Sequence, residues 1–270
     1  MEQILIMGES GSGKSTAVIA TARFCHEMGK DVQFYVFDGD NAYQCQAEDL
    51  VRSVDGEILN AAGNVNVVPC NEWLHYRDGM RCVLDIVRPQ DWVVVDRIST
   101  PWDLIKEWYV THFLKTDWDE FFADFRENHL KGGDPLLKHY TAINNFYTSW
   151  QRRFNPFAKC NVLCCTDVKE VITGKDKSAG IGFKDKAATL NAFEGLGWKP
   201  AGHNTLANQF NTILYIEKAW RKWRITTVRE RAVSRPNLEK ETLESFPRQY
   251  LLKVARWRAE GGKAEVVASE

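Results

Sequence analysis

Residues 3–15 read QILIMGESGSGKS, an apolar run followed by a glycine-rich segment that ends in lysine and serine. The apolar run has the length and composition of a buried parallel strand. The segment from Gly8 to Ser15 satisfies the pattern GxxxxGK[ST]. A helical pattern follows from about Thr16 to Met28, and Gly29 occupies the expected C-cap. A strand, this loop and a helix in that order predict a phosphate-binding loop at the start of an α/β fold.

The residue types in this loop suit a nucleoside triphosphate bound with Mg²⁺. Its glycines let the backbone curl so that successive N–H groups point at phosphate oxygens, and the following helix adds the positive end of its dipole. Lys14 would reach the β- and γ-phosphates, and the Ser15 hydroxyl would hold the metal. The predicted binding residues are Gly8, Glu9, Ser10, Gly11, Ser12, Gly13, Lys14, Ser15 and Thr16.

Further apolar runs alternate with helical patterns along the chain. They predict strands at 32–37, 65–68, 92–96 and 161–165, and helices at 42–60 and 74–87. Strands that alternate with helices in this way predict an α/β fold with a mostly parallel central sheet flanked by helices.

Two segments interrupt this alternation. Residues 99–150 are rich in aromatic side chains at helical spacing, and core packing of a helical insertion is the simplest interpretation. Residues 168–205 are rich in glycine and lysine without periodicity, which predicts a long loop.

The carboxyl-terminal part begins with two strand patterns, 210–217 and 223–229, joined by a turn near 218–222. They predict a β-hairpin that ends the core. We therefore expect a core over 1–236 and a charged tail over 237–270.

Aspartates follow two of the predicted strands. Asp96 comes directly after four apolar residues, the position of the second metal-holding carboxylate beside a phosphate loop. The next residue is Arg97, whereas many motor ATPases carry a catalytic glutamate there. The base that activates water must then come from elsewhere, and Asp38 or Asp40, at the end of the second strand, could supply it.

Composition and charge set the remaining limits. Hydrophobic residues make up 44% and charged residues 26% of the 270-residue chain, values typical of a globular protein. No apolar run approaches the length of a membrane span, and the first residues do not have the pattern of a signal peptide. The seven cysteines include no CxxC pair. We expect reduced thiols, no membrane partner and a cytoplasmic location.

The formal net charge of −1 conceals an uneven distribution. Residues 1–150 carry a net charge of −10 and residues 151–270 a net charge of +9. A basic half predicts either a polyanion-binding surface or a surface that meets the acidic half of a neighbouring copy.

The order of these parts resembles the RecA-type recombinase core, and more narrowly the phage-encoded, RecA-like ATPases linked to single-strand annealing. The similarity runs from about residue 2 to residue 236 and includes GESGSGKS, FDGD and VVVDRIS. It implies a RecA-like ATPase that uses ATP and Mg²⁺ in phage recombination or replication, within the host cytoplasm.

The resemblance also implies roles for individual residues. Asp40 matches the catalytic acid, although the family usually has glutamate there, and Thr166 and Asp167 fall where the family senses the γ-phosphate. Arg229 and Arg231 match basic residues that reach the nucleotide of a neighbouring subunit, which implies a homo-oligomer whose active site is completed at the interface.

In such proteins the loop after Asp167 holds single-stranded DNA. Here it interleaves lysines with aromatic residues, a composition that suits sequence-tolerant binding, although acidic residues dilute its charge. The predicted DNA-binding residues are Lys175, Lys177, Lys184 and Lys186.

Three other functions share this phosphate loop. A small-molecule or nucleotide kinase would need a lid of clustered arginines, which Arg152, Arg153 and the 221–231 cluster could form. A packaging or helicase motor is disfavoured because no acid follows Asp96. A non-hydrolysing, nucleotide-dependent scaffold is credible because the side chain of Asp40 is one methylene shorter than glutamate.

Overall fold

The computed structural model describes most of the chain. It covers residues 1–53, 63–128, 136–154, 159–171, 193, 195–203, 206–231 and 238–259. Within these ranges strands are interspersed with helices up to residue 96, helices follow one another between residues 100 and 154, and strands predominate after residue 160.

The elements of the first half are β1 (Gln3–Met7), α1 (Lys14–Glu27), β2 (Phe34–Asp38), α2 (Ala42–Gln46), β3 (Val51–Ser53), β4 (Val65–Pro69), α3 (Trp73–Ile86), β5 (Trp92–Asp96), α4 (Thr100–Tyr109), α5 (Trp118–Asn128) and α6 (Tyr140–Phe154). Those of the second half are β6 (Asn161–Thr166), β7 (Val168–Glu170), β8 (Trp198–Pro200), β9 (Thr212–Ala219), β10 (Lys222–Glu230), β11 (Glu241–Thr242) and α7 (Leu252–Ala259).

Nine of the described strands form one central sheet in the order β11-β10-β9-β1-β6-β5-β2-β4-β3. The seven strands from β9 to β3 in that order run parallel. At one edge of the sheet β10 pairs antiparallel with β9, and β11 pairs antiparallel with β10. Strands β1, β5 and β6 are almost continuously apolar because helices cover both faces of the sheet. The predicted α/β class with a mostly parallel sheet flanked by helices is confirmed.

Two hydrophobic layers sandwich the sheet. On one face, α3, α4 and α6 pack through residues such as Tyr76, Ile105 and Tyr147. On the other face, α1 packs with the carboxyl-terminal segment that contains Phe246 and Tyr250. The aromatic residues between 99 and 150 therefore belong largely to the first layer, in agreement with their interpretation as core.

The predicted helix over 42–60 is much shorter in the structure. It ends at Gln46, and Val51–Ser53 instead pairs with β4 as an edge strand. The apolar residues Ala47, Leu50 and Val51 are fully or almost fully buried beside the sheet, so tertiary packing overrides the helical pattern. Residues 54–60 of that prediction lie outside the described residues.

The charged tail over 237–270 contains a packed portion. Leu238, Phe246, Tyr250 and Val254 are buried against the α1 side of the sheet, and β11 pairs with β10. In the sequence these apolar residues are separated by charged ones, so the tail shows no clear pattern of a buried face.

The β9–β10 hairpin was predicted and is present. Trp220 and Arg221 form its two-residue turn between the paired residues Ala219 and Lys222. The ladder is regular from the turn to Thr227 and then shifts register before Arg229, which is a β-bulge.

Parallel pairing aligns the carboxyl ends of the central strands at one edge. Met7 pairs with Thr166, and Asp38 pairs with Asp96. Ligands of open α/β sheets bind at this edge, and the glycine-rich loop after β1 opens there. Among the described residues, no helix is long and apolar enough to cross a membrane.

Candidate phosphate-binding site

The loop between β1 and α1 has the backbone shape that its glycines allow. Gly11 and Gly13 have φ values of +73° and +93°, which side chains other than glycine rarely adopt. At Gly8 a Cβ atom would lie 2.2 Å from the carbonyl oxygen of Ile216, so the loop approaches β9 too closely for any side chain. The Ser12 hydroxyl is buried and, within the described part of the chain, has no hydrogen-bond partner. This cradle fits a group rich in acceptor oxygens.

Lys14 begins α1 and folds back over the loop. Its ammonium group donates to the carbonyl oxygens of Gly8 (2.9 Å) and Glu9 (2.8 Å) and to Asp167 Oδ1 (3.0 Å). The side chain is only 7% exposed. Lys14 therefore lies where a cation could contact phosphate oxygens, and in this structure it is held by an aspartate from β6's carboxyl end.

Asp96 ends β5 beneath the loop. It is buried, it accepts a hydrogen bond from the Tyr43 hydroxyl (3.0 Å), and the Ser15 side chain lies near its carboxylate. Burial raises the pKa of Asp96, and the side chains of Ser15 and Tyr43 oppose that rise. A nearby cation would favour the charged form further.

The predicted metal ligands Ser15 and Asp96 thus lie near each other in the lining of the cleft. Across the described residues there is no cluster of three His, Cys, Asp or Glu side chains suited to a metal ion. This donor set fits Mg²⁺ rather than a fully protein-coordinated metal, because Mg²⁺ keeps several waters and takes its remaining ligands from phosphates.

The two aspartates after β2 have different environments. Asp38 is buried and accepts backbone N–H groups from Asp40, Ala42 and Tyr43, so it fixes the turn into α2. Burial raises its pKa to about 6. Asp40 is 39% exposed and lines the cleft beside the loop. Of the two, Asp40 has the position expected of a residue that contacts water near a phosphate.

Arg97 connects the acidic residues of the site. Its guanidinium lies 3.2 Å from Asp167 Oδ2 and 3.6 Å from Asp40 Oδ2. Because Asp167 also binds Lys14, the four side chains of Lys14, Asp167, Arg97 and Asp40 form one ion-pair chain across the cleft. In the sequence Arg97 is notable only because it replaces an acid after Asp96, whereas in the structure it bridges Asp40 and Asp167.

The other predicted residues fall in three places. Thr166 is buried, and its hydroxyl donates to Ala201 O (3.1 Å) rather than turning to the cleft. Asp167 lies in the site. Arg229 and Arg231 lie away from the cleft, towards the amino ends of the parallel strands. The reason is that β10 runs antiparallel to β9, so residues after Thr227 lead away from the phosphate loop.

Backbone carbonyls hold both of these arginines. Arg229 donates to the carbonyl oxygens of Ala207 and Phe210, and Arg231 donates to that of Asn208. Burial lowers the pKa of Arg229, and the neighbouring charge of Arg231 lowers it further. Within one chain, therefore, neither arginine reaches the cleft.

The cleft extends beyond the loop to a volume of about 460 Å³. Trp223 of β10 lines it, close enough that a Cβ on Gly13 would lie 3.3 Å from the indole ring. The segment Leu243, Glu244, Ser245 and Phe246 forms another wall beside α1. This wall was not predicted, because the sequence of the tail over 237–270 indicates only a charged segment.

The predicted DNA-binding residues Lys175, Lys177, Lys184 and Lys186 lie outside the described residues. The two ends of their segment are described, and they pair as the antiparallel strands β7 and β8.

Comparison with known proteins adds no relative to this picture. No protein-family model matches the chain. A search of the curated proteins finds no match either.

Proposed function

We propose that the chain binds Mg·ATP at the loop Gly8–Ser15 and hydrolyses it, as an ATPase of the RecA-like type. The observation that carries the proposal is the convergence of Lys14, Ser15 and Asp96 on one glycine-shaped cradle. A phosphate-binding cation, a metal-binding hydroxyl and a carboxylate are the groups that this chemistry requires.

The strand order supports the RecA-like type. Because β6 lies between β1 and β5, its end brings Asp167 between the phosphate loop and Asp96. A polar group there contacts the outermost phosphate of a bound triphosphate. The antiparallel hairpin β9–β10 beside β1 also agrees with the resemblance.

In the proposed reaction Asp40 accepts the proton of a water molecule that attacks the γ-phosphorus atom, and the bond to the β-γ bridging oxygen breaks to release ADP and phosphate. Lys14 stabilises the charge that develops on the phosphates. Arg97 pairs with Asp40 and Asp167, and a bound γ-phosphate would compete for its guanidinium.

The test is titration calorimetry with Mg·ATP, followed by a hydrolysis assay. Wild-type protein should bind and hydrolyse ATP, and Lys14→Ala should weaken binding by about 10- to 100-fold, since a hydrogen bond to a charged group contributes about 1.5–3 kcal/mol. Lys30→Ala, an exposed lysine just after α1, is the matched control. Calorimetry without heat for Mg·ATP would contradict the proposal.

The Arg97–Asp40 contact favours a second candidate, a scaffold that binds ATP without hydrolysing it. Asp40 is shorter than glutamate and is already paired with a cation 3.6 Å away. ATP binding with no product in a single-turnover assay would support the scaffold and exclude the ATPase. Phosphate transfer to a small acceptor would support a kinase instead.

The proposal includes a homo-oligomer. Arg229 and Arg231 lie near the amino ends of the parallel strands, away from the cleft of their own chain. They could therefore contact a nucleotide only in a second copy of the chain. Mixing Lys14→Ala protein with Arg229→Ala/Arg231→Ala protein tests this, because only trans-acting arginines would restore activity in the mixture.

A further inference from the structure

The turn of the β9–β10 hairpin presents a tryptophan to solvent. Trp220 is 89% exposed. It also has a φ of +58°, a conformation in which hairpin turns usually place glycine or asparagine. A bulky residue that is both exposed and in the left-handed region gains neither burial nor backbone preference. Such a residue at a surface turn points to a role for its side chain in binding.

Each of the two tryptophans at this end of the hairpin has a cation beside its ring. The Arg221 guanidinium lies 5.5 Å from the centre of the Trp220 ring, and the Lys218 ammonium lies 5.7 Å from that of Trp223. Lys222 and Arg224, at the start of β10, are also exposed. Residues 217–224, which we call the hairpin tip, carry four cations and the single acid Glu217.

We propose that the hairpin tip is a binding site for a single-stranded nucleic acid. Aromatic faces beside cations are the two components of sequence-tolerant single-strand binding: bases stack on the rings, and phosphates contact the lysines and arginines. Bases paired inside a duplex do not offer their faces, so the exposed Trp220 ring favours single strands.

The positive charge of the hairpin tip argues against an apolar protein partner at this site. The described residues of the tip hold no exposed aliphatic side chain, and each of its two tryptophans lies under a cation. A partner must therefore satisfy positive charge and cover aromatic rings together. Nucleic-acid strands do both.

The hairpin tip adjoins the cleft. Trp223 lies against Gly13 of the phosphate loop while Trp220, three residues earlier, points to solvent. If the proposed ATP site is correct, a strand on the tip and a nucleotide in the cleft are neighbours. Binding of the strand itself does not depend on that function and is measured without nucleotide.

The experiment is fluorescence anisotropy of labelled (dT)20 and (rU)20 titrated with the full chain. Trp220→Ala should weaken binding about tenfold, the loss expected when one stacking contact is removed. Trp220→Phe, which keeps an aromatic ring, should recover most of the affinity. Comparison of the two strands establishes whether DNA or RNA is preferred.

A second variant tests the phosphate contacts. Arg221→Ala/Lys222→Ala should lower the magnitude of the slope of log affinity against log salt by about 1.4, since each contact with a single strand contributes about 0.7. The charge-matched control is Lys30→Ala/Arg81→Ala, two exposed cations outside the hairpin tip, and it should leave the slope unchanged.

Two results would overturn the proposal. One is unchanged strand affinity in both tip variants, and the other is an equal loss by Trp220→Ala for the strands and for heparin, a polyanion without bases. Loss of ATP binding with intact strand binding would instead contradict the proposed function and leave this site standing.

Discussion

At the scale of single residues, Arg97 is the central side chain of the ion pairs in the cleft. Its guanidinium pairs with the candidate catalytic acid Asp40 and with Asp167, which itself holds Lys14. Under the proposed function, the same guanidinium would also contact the γ-phosphate of a bound nucleotide.

This position predicts that Arg97 distinguishes ATP from ADP. Arg97→Ala should weaken ATP binding about tenfold and leave ADP binding nearly unchanged, because only ATP carries the γ-phosphate. Arg97→Lys should recover part of the loss. Calorimetry with both nucleotides measures the ratio, and equal losses for ATP and ADP would contradict the assigned contact.

Asp38 predicts a pH dependence of stability. Its folded-state pKa of about 6 exceeds the ordinary value of 3.8, so the folded protein binds this proton more tightly than the unfolded chain. The free energy of unfolding should therefore rise as the pH falls from about 7 towards 4, relative to an Asp38→Asn variant that cannot titrate. Urea unfolding of both proteins at several pH values measures the difference, and parallel curves would exclude it.

Part of the site was predictable at this scale. The loop Gly8–Ser15 is a local pattern, and Asp96 ends an unmistakable buried strand, so both follow from neighbours in sequence. Tyr43, Arg97 and Trp223 were not predicted as site residues, because their contacts join segments far apart in the chain and leave no local spacing to detect.

The β9–β10 hairpin links two regions at the scale of elements. Its backbone pairs with β1 through β9, and Trp223 lies on Gly13. The neighbouring segment is fixed to the same residue, because Leu243 N donates to Trp223 O (2.7 Å).

Trp223 should therefore report nucleotide binding. Addition of Mg·ATP should change the tryptophan emission of the wild-type protein, because the indole borders the phosphate loop. Trp223→Phe should lose this change, whereas Trp220→Phe on the same turn should keep it. An identical response from all three proteins would show that another tryptophan is the source.

Most strands were predictable at this scale, because four to six apolar residues between helical patterns identify a parallel sheet. The shortened α2 and the packed segment 238–259 were not. In both, burial against the sheet decides the conformation, and a mixed apolar and charged sequence gives no periodic signal for it.

At the scale of the whole molecule, the two halves of the sequence, which differ in net charge, contribute opposite ends of the central sheet. Strands β9, β10 and β11, from the basic half, lie at one end of the sheet, and β2, β4 and β3, from the acidic half, lie at the other. Opposite ends of this kind suit head-to-tail association of identical copies.

This arrangement predicts a salt-sensitive homo-oligomer. Light scattering after size exclusion should give a mass above that of one chain at about 0.05 M salt and a smaller mass near 1 M, where the Debye length falls to about 3 Å. A mass of one chain under both conditions would contradict head-to-tail association.

The way Lys14 is held has a consequence for ligand selection in the cell. An ammonium group has three donors, and two carbonyls and Asp167 already occupy all three. Any incoming anion must exchange for these partners, so a lone orthophosphate gains little by entering. Under the proposed function, a polyphosphate chelated to a divalent ion would bring several oxygens to this exchange, so abundant small anions should compete poorly for the cradle.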